Sequence, residues 1–343
     1  MNFELTTEQQ QLKGLIREIL EDACPTPVRD VSTISPLGAT LAETGLAGIL
    51  VPETLGGSGA TLIEACILGE AFGTMGAPGA LVASTLMCGA ALDLVRDADK
   101  RSVADVVMSG EPCALLVGGD LSWPPGTGEE GEEGEEIAWG WLERSVVLVP
   151  DGDALALAQG DDFSLSQTAD LSLFAGRRAS RPGSASSTIA SSPGGRRFLA
   201  AANVIMSSVL LGHMQAAFDA AVEYSKHRIQ YGAHIGSFQA VRHLCADMLV
   251  DVDASRSAAY GAAWAVSSSG ALEESERSAA VAKAWCSDAG LRVCETSLQV
   301  HGGIGFTWES VINDHLRATH VARASFMSPE QALDLIAGAR SWI

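Results

Sequence analysis

Apolar positions recur with helical spacing at both ends of the chain and fall into short bursts between them. Near the start, Leu12, Leu15, Ile16, Ile19 and Leu20 advance by steps of three and one, which gathers them on one face at 3.6 residues per turn. Thr6 with Gln9 three positions later supplies the capping box that opens such a helix. Over residues 37–55 short apolar runs alternate with the turn-like pairs Pro52-Glu53 and Gly56-Gly57. Thr61 and Glu64 then cap a further apolar helix through Ile63, Cys66, Ile67 and Ala71. Residues 1–110 are predicted to form an all-helical domain.

From Glu111 the texture changes. Residues 114–117, 145–149 and 155–158 are apolar pieces bounded by Gly, Pro and Asp, the punctuation of strands, so a small β domain is predicted over 111–181. Inside it, residues 124–136 hold six glutamates interleaved with glycine, which predicts a solvated acidic loop; the spaced ligands of a calcium loop are missing. The stretch 177–197 is rich in Ser, Gly, Pro and Arg and predicts a linker, placed at 182–197. Long apolar helical patterns follow, from 198 to about 227, 236 to about 268, 273 to about 301, and near 329–339, predicting an antiparallel four-helix bundle over 198–343. The fold class expected is mainly α with a small, reduced β domain in the middle.

Composition removes several function classes. A chain with 47% hydrophobic and 19% charged residues is globular. Its 22 Lys+Arg against 42 Asp+Glu give a charge of −20, a field that repels phosphate backbones and anionic lipid, so neither nucleic acid nor a membrane is expected as a partner. There is no run of eighteen uninterrupted apolar residues, and the opening MNFELTTEQQ lacks the regions of a signal peptide; the expected compartment is the cytoplasm. Seven cysteines, scattered singly with no C-x-x-C pair, read as small buried hydrophobes, and no metal site is expected.

Candidate chemistry lies near the C-terminus. Arg228, Tyr231 and Gly232 are followed by Gln239, seven residues after that glycine; some sixty residues later come Gln299, His301, Gly302, Gly303, Gly305 and Phe306. An arginine offers a planar fork of donors suited to pyrophosphate, the paired glycines let backbone N–H groups approach a nucleotide, and the glutamines add amide donors and acceptors. Taken singly, Arg228 could equally be a solvated helix-end residue and Gly302-Gly303 a helix C-cap and turn.

These two motifs in this order, the opening L-T-x-E-Q-x-x-L and the phrase GLAGILVPETLGGSG together resemble the acyl-CoA dehydrogenase family over nearly the whole chain. The resemblance implies that Arg228, Tyr231, Gln239, Gln299, Gly302 and Gly303 reach across a subunit interface to hold the ADP part of an FAD whose flavin sits in the neighbouring subunit. The family's T-E-P-x-x-G-S-D-like and W-I-T/S segments, which cradle a subunit's own flavin, are missing between Glu111 and Arg181. Its catalytic carboxylate stands twenty residues after the phenylalanine matching Phe306, here Phe326, or twenty-six before the arginine matching Arg228, here Ala202, next to Asn203. Neither Phe326 nor Ala202 can accept the α-proton of a thioester. Among possible substitutes, Glu309 reads as a carboxylate at a helix N-terminus. His301 and His320 could act as bases near neutral pH, though a histidine beside a glycine turn is more often a structural hydrogen-bonder.

The expectation is a non-catalytic subunit of a heteromeric, FAD-dependent acyl-CoA dehydrogenase, similar to the short subunits of actinobacterial steroid side-chain or other bulky acyl-CoA oxidation. It would pair with a longer catalytic acyl-CoA dehydrogenase subunit, share an acyl-CoA substrate and pass electrons to an electron-transfer flavoprotein. The alternative is a flavin-free protein that binds acyl-CoA or an acyl carrier, or serves as a scaffold, on the same fold; a complete homomeric dehydrogenase with an unrecognised base is a third reading.

Overall fold

The first helix, α1 (Thr7–Ala23), starts at the expected box: the Thr6 N–H donates to Gln9 Oε1 at 3.0 Å and the Gln9 N–H donates to Thr6 Oγ1 at 3.2 Å. Its apolar stripe buries Ile16 and Leu20 and part of Leu12 and Ile19, while Leu15, at the edge of the stripe, is 52% exposed. The structure, a computed structural model, describes residues 5–23, 31–125, 135–143, 145–159, 163–167, 174–179, 187–268 and 270–338. Helix α2 (Ile34–Glu43) precedes α3 (Leu62–Met75), whose capping box pairs the Thr61 N–H with Glu64 at 2.9 Å and the Ile63 N–H with Thr61 Oγ1 at 3.2 Å. The short α4 (Gly79–Leu81) runs into a π-helical stretch (Val82–Cys88), and α5 (Asp97–Met108) follows.

Among the described residues the sheet contains six strands: β1 (Cys113–Gly118), β2 (Glu135–Trp139), β3 (Val146–Asp151), β4 (Ala154–Gln159), β5 (Ser164–Gln167) and β6 (Phe174–Ala179). Their order is β4-β3-β1-β2-β6-β5, with β1 and β3 parallel and the other neighbours antiparallel. Along β1 the side chains alternate between two buried faces: Cys113, Leu115 and Val117 join the main core, whereas Ala114 and Leu116 pack with Ala138, Trp141, Val147 and Phe163 on the other side. The acidic stretch predicted over 124–136 needs correction at its end, because Glu135 and Glu136 lie in β2, paired between β1 and β6, and Glu136 is buried. Residues 126–134 of that stretch, and Cys24, lie outside the described residues.

The linker boundaries are corrected in the same way. Arg177 is in β6, Ser187–Ser191 is a short helix (α6), and the long helix α7 begins at Pro193 rather than 198, with the Gly195 N–H capped by Ser192 Oγ at 3.0 Å; residues 180–186 lie outside the described residues. Helix α7 (Pro193–His227) is followed by a two-stranded hairpin, β7 (Ile229–Gln230) and β8 (Ala233–His234), then α8 (Gln239–Ser268), α9 (Leu272–His301), α10 (Val311–Ala324) and α11 (Pro329–Gly338). Four helices were expected after residue 198; α10 is the additional one. It buries His315 and Thr319 beside Ile312 and Val321, so its inner face contains polar letters that dilute the apolar period.

Helix α7 is the spine. An 18-residue window of it has a mean hydropathy of 1.3, high enough to cross a membrane, but 83% of that window is buried inside the fold, as for the central helix of a bundle. Backbone contact with α3 is close: a Cβ on Gly73 would stand 2.1 Å from the Val209 carbonyl oxygen, and one on Gly212 would stand 2.1 Å from that of Glu70. Glycine at both positions lets the axes approach and brings α3 side chains deep into the bundle.

Candidate functional site

Three places in the fold concentrate chemistry. The first is the end of the bundle where α7 and α9 finish and α8 begins. Arg228 caps α7 through its N–H to the Tyr224 carbonyl at 2.9 Å, and its own carbonyl accepts from the Ile235 N–H at 2.8 Å, so the backbone is fixed while the side chain is exposed. Tyr231 and Gly232 make the hairpin turn with φ of 52° and 77°, the positive pair that a two-residue turn between twisted strands demands; Tyr231 is 96% exposed. Gln239 is the first residue of α8, Gln299 lies in the last turn of α9, and both are exposed. Gly302 ends α9 at φ 65°, and Gly302 and Gly303 have open space where a Cβ would stand.

The His301 ring stacks on Tyr224 at 4.5 Å and its Nδ1 bonds the Ser297 carbonyl at 2.8 Å, which ties the end of α9 to the end of α7. The predicted cofactor residues therefore share one end of the bundle, and His301 has a structural part there. The side chains of Arg228, Gln239 and Gln299 make no hydrogen bond or ion pair among the described residues. Exposed donors beside an open glycine backbone suit the phosphates of a nucleotide lying across this end. Ile229, Ile304, Phe306 and Trp308 are more than half exposed around them, an apolar rim with the Arg317 guanidinium 4.8 Å over Trp308. Glu309 lies in the turn just before α10, exposed, and His320 is exposed on α10.

The second place is the seam between sheet and bundle, where both expected base positions fall. Ala202 is fully buried on α7. Phe326 is 1% exposed at φ 68°, with its N–H donating to the Leu121 carbonyl at 2.8 Å and its carbonyl accepting from the Trp123 N–H at 3.3 Å. Its ring meets Trp139 at 5.4 Å and Phe198 at 6.3 Å, and Phe198 meets Trp123 at 4.6 Å. The aromatic rings fill this seam, and main-chain bonds stitch the turn after β1 to Phe326. Beside them a void of about 20 Å³, room for roughly one water, is lined by Phe72, Trp139, Met206 and His213. That void is too small to admit a flavin between Trp139 and α7.

The third is a set of buried polar groups that the sequence reading missed. Glu70 on α3 accepts from Lys13 at 3.0 and 2.9 Å, from Arg256 at 3.0 Å and from the Tyr260 hydroxyl at 2.7 Å. Burial pushes its carboxyl up, but the charges of Lys13 and Arg256 and the hydroxyl bond outweigh it and hold the group below the usual carboxylate range. His213 and His315 face each other with Nδ1 atoms 3.0 Å apart; burial lowers both, His315 to about 4, so a neutral pair joins α7 to α10 at pH 7. Lys283 on α9 is fully buried and donates to the carbonyls of Ala322 at 2.5 Å and Ser325 at 3.0 Å, anchoring the segment that carries Phe326.

Glu70→Gln is expected to lower the unfolding free energy by about 2–3 kcal/mol at pH 7, because it removes a charge that three donors address while Lys13 and Arg256, at 41% and 32% exposure, keep part of their hydration. The loss belongs to pH above the unfolded carboxylate value and should vanish as acid protonates Glu70 in the folded wild type. Urea unfolding of wild type and variant, measured in steps from pH 7 into acid, follows both.

Comparison with known proteins agrees with the architecture. The acyl-CoA dehydrogenase N-terminal domain model matches residues 6–111, and the acyl-CoA dehydrogenase C-terminal domain model matches residues 196–337. The chain belongs to the acyl-CoA dehydrogenase family, flavoprotein oxidoreductases acting on CH–CH bonds that generally bind FAD. It is 27% identical to acyl-CoA dehydrogenase IpdE2 of Mycolicibacterium smegmatis over 85% of this chain and 83% of that protein. It is also 33% identical to acyl-CoA dehydrogenase FadE34 of Mycobacterium tuberculosis, over 83% of this chain and 39% of that protein. In fold it resembles a chain of the ChsE4-ChsE5 complex from Mycobacterium tuberculosis, with a TM-score of 0.79 and 21% identity over 100% of both chains.

Proposed function

We propose that this chain is the non-catalytic subunit of a heteromeric, FAD-dependent acyl-CoA dehydrogenase that introduces an α,β double bond into a bulky acyl-CoA such as a steroid side-chain thioester. The observation that carries the proposal is the seam: a buried alanine and a buried phenylalanine stand at the two base positions, with aromatic rings where a flavin would rest. The proton acceptor and flavin bed then belong to the longer partner subunit, and electrons leave through an electron-transfer flavoprotein. Support for a partner of the same family comes from the assembly named for the ChsE4-ChsE5 structure and from the apolar rim around Arg228.

In this reading FAD supplies the acceptor for the hydride leaving the β-carbon. The chain's own residues bind and exclude water. Arg228 would pair with the pyrophosphate, Gln239, Gln299 and Tyr231 would offer polar groups to the ADP part, and Gly302 and Gly303 would admit its phosphates to the backbone. Co-expression with a candidate full-length partner, followed by flavin quantification per chain, tests the assignment. A colourless chain when purified alone and a yellow complex with the partner are expected; stoichiometric FAD on the chain by itself would overturn it.

A further inference from the structure

At the opposite end of α7 from Arg228 lies a cavity of about 560 Å³, within the ~300–1,000 Å³ range of sites that enclose small ligands. Its walls come from residues before and at the start of α3, the residues after the π-helical stretch, the first three turns of α7, the last turn of α8, Gly270 and the first turn of α9. Leu50, Leu62, Leu92, Phe198, Val266 and Leu272 make most of the lining apolar. Two charged side chains also line it, Arg197 and Asp93, and neither makes a hydrogen bond or ion pair among the described residues. The contrast with the preceding residue is informative: Arg196 is fully engaged by Glu276, at 2.7 and 2.5 Å, so α7 is already tied to α9 and Arg197 is not needed for that purpose.

We infer that this cavity is a second ligand site, taking an apolar molecule that carries an anionic group for Arg197 and a hydroxyl for Asp93. The apolar lining rewards burial of the body. The guanidinium favours a carboxylate or a similar anion, and the carboxylate of Asp93 accepts a hydroxyl proton while repelling a second anionic group. A simple fatty acid satisfies only the first requirement, so a hydroxylated apolar acid is preferred over it. The site is independent of the FAD reading: Arg197 and Arg228 are thirty-one positions apart on α7, roughly 46 Å along its axis. The cavity borders the closed seam at Phe198 and at Ala201, the chain neighbour of Ala202, and the rings of Trp139 and Phe326 do not line it.

Isothermal titration of the full chain with deoxycholate, below its micelle concentration, tests this directly, with the hydroxyl-free parent acid cholanate as the second probe. One saturable site is expected, binding deoxycholate more tightly than cholanate. Arg197→Gln should weaken both probes by roughly tenfold or more. Asp93→Asn should reduce the preference for deoxycholate, and Ala201→Phe, which fills the cavity from α7, should remove binding. Arg197→Gln alters an exposed side chain and keeps the test valid if the filled variant fails to fold, as judged by thermal melting. Absence of saturable binding to the wild type, or unchanged binding in Arg197→Gln, overturns the proposal, whatever the flavin content of the chain or its complex.

Discussion

If the proposed complex forms, replacing Arg228 by alanine in it is expected to raise the FAD dissociation constant roughly ten- to a hundredfold, because a charge-assisted contact to a pyrophosphate contributes about 1.5–3 kcal/mol. The folded subunit should be otherwise unaffected. Arg228 holds its neighbours through the backbone alone, receiving the Ile235 N–H and donating to Tyr224, whereas its side chain has no partner among the described residues. The melting temperature of the isolated variant should therefore match that of the wild type, and flavin release on dilution to sub-micromolar protein should separate the two complexes. Arg228→Lys should recover only part of the loss, since an ammonium supplies charge without the planar fork. Equal retention of FAD by wild type and Arg228→Ala would leave Arg228 as a hairpin residue with no part in the cofactor site.

How much of this was legible depends on the range of the interactions concerned. Both capping boxes are local: Thr6 with Gln9 and Thr61 with Glu64 close within three residues, and they appear in the structure where the letters place them. Strands β2, β5 and β6 were not legible, because EEIAW, SLSQ and FAGRRA lack a clear alternation of their own and become strands by pairing with neighbours in the sheet. The same holds for the buried polar groups. Glu70 reads as an acidic interruption of an apolar helix; its partners Lys13, Arg256 and Tyr260 are 57, 186 and 190 positions away. In contrast, the residues proposed to hold FAD were read from motif spacing, and the packing adds what spacing does not give: His301 stacked on Tyr224 draws the two motifs to one end of the bundle. Phe326 and Ala202 read as empty positions in the sequence, and the structure gives them an occupation, the closed aromatic seam.

That closure has a buried amine at its hinge, and its titration should be visible in stability. Lys283 donates to the Ala322 and Ser325 carbonyls directly before Phe326, and burial, reinforced by the Arg323 charge and opposed by the Cys286 thiol, lowers its pKa to about 7. An unfolded lysine titrates near ~10.4. Between these values the unfolded chain holds a proton that the native chain has released, so stability rises with pH across this window, by at most about 1.4 kcal/mol per unit. The contribution is complete above the unfolded value and is lost as pH falls through the folded one. Buried thiols act in the opposite direction at higher pH: burial pushes Cys286 and Cys294 up to about 12, so alkali favours the unfolded thiolates. The useful range is therefore pH 6.5 to 8.5, and the useful quantity is the difference between wild type and Lys283→Met, in which the thiols are common to both. Urea midpoints of the wild type should climb relative to the variant over that range, by about 1.6 kcal/mol in unfolding free energy between pH 7 and 8.5. A difference that stays flat with pH would mean that Lys283 keeps its proton in the folded chain, and that the ammonium, charged, holds the Phe326 segment in place.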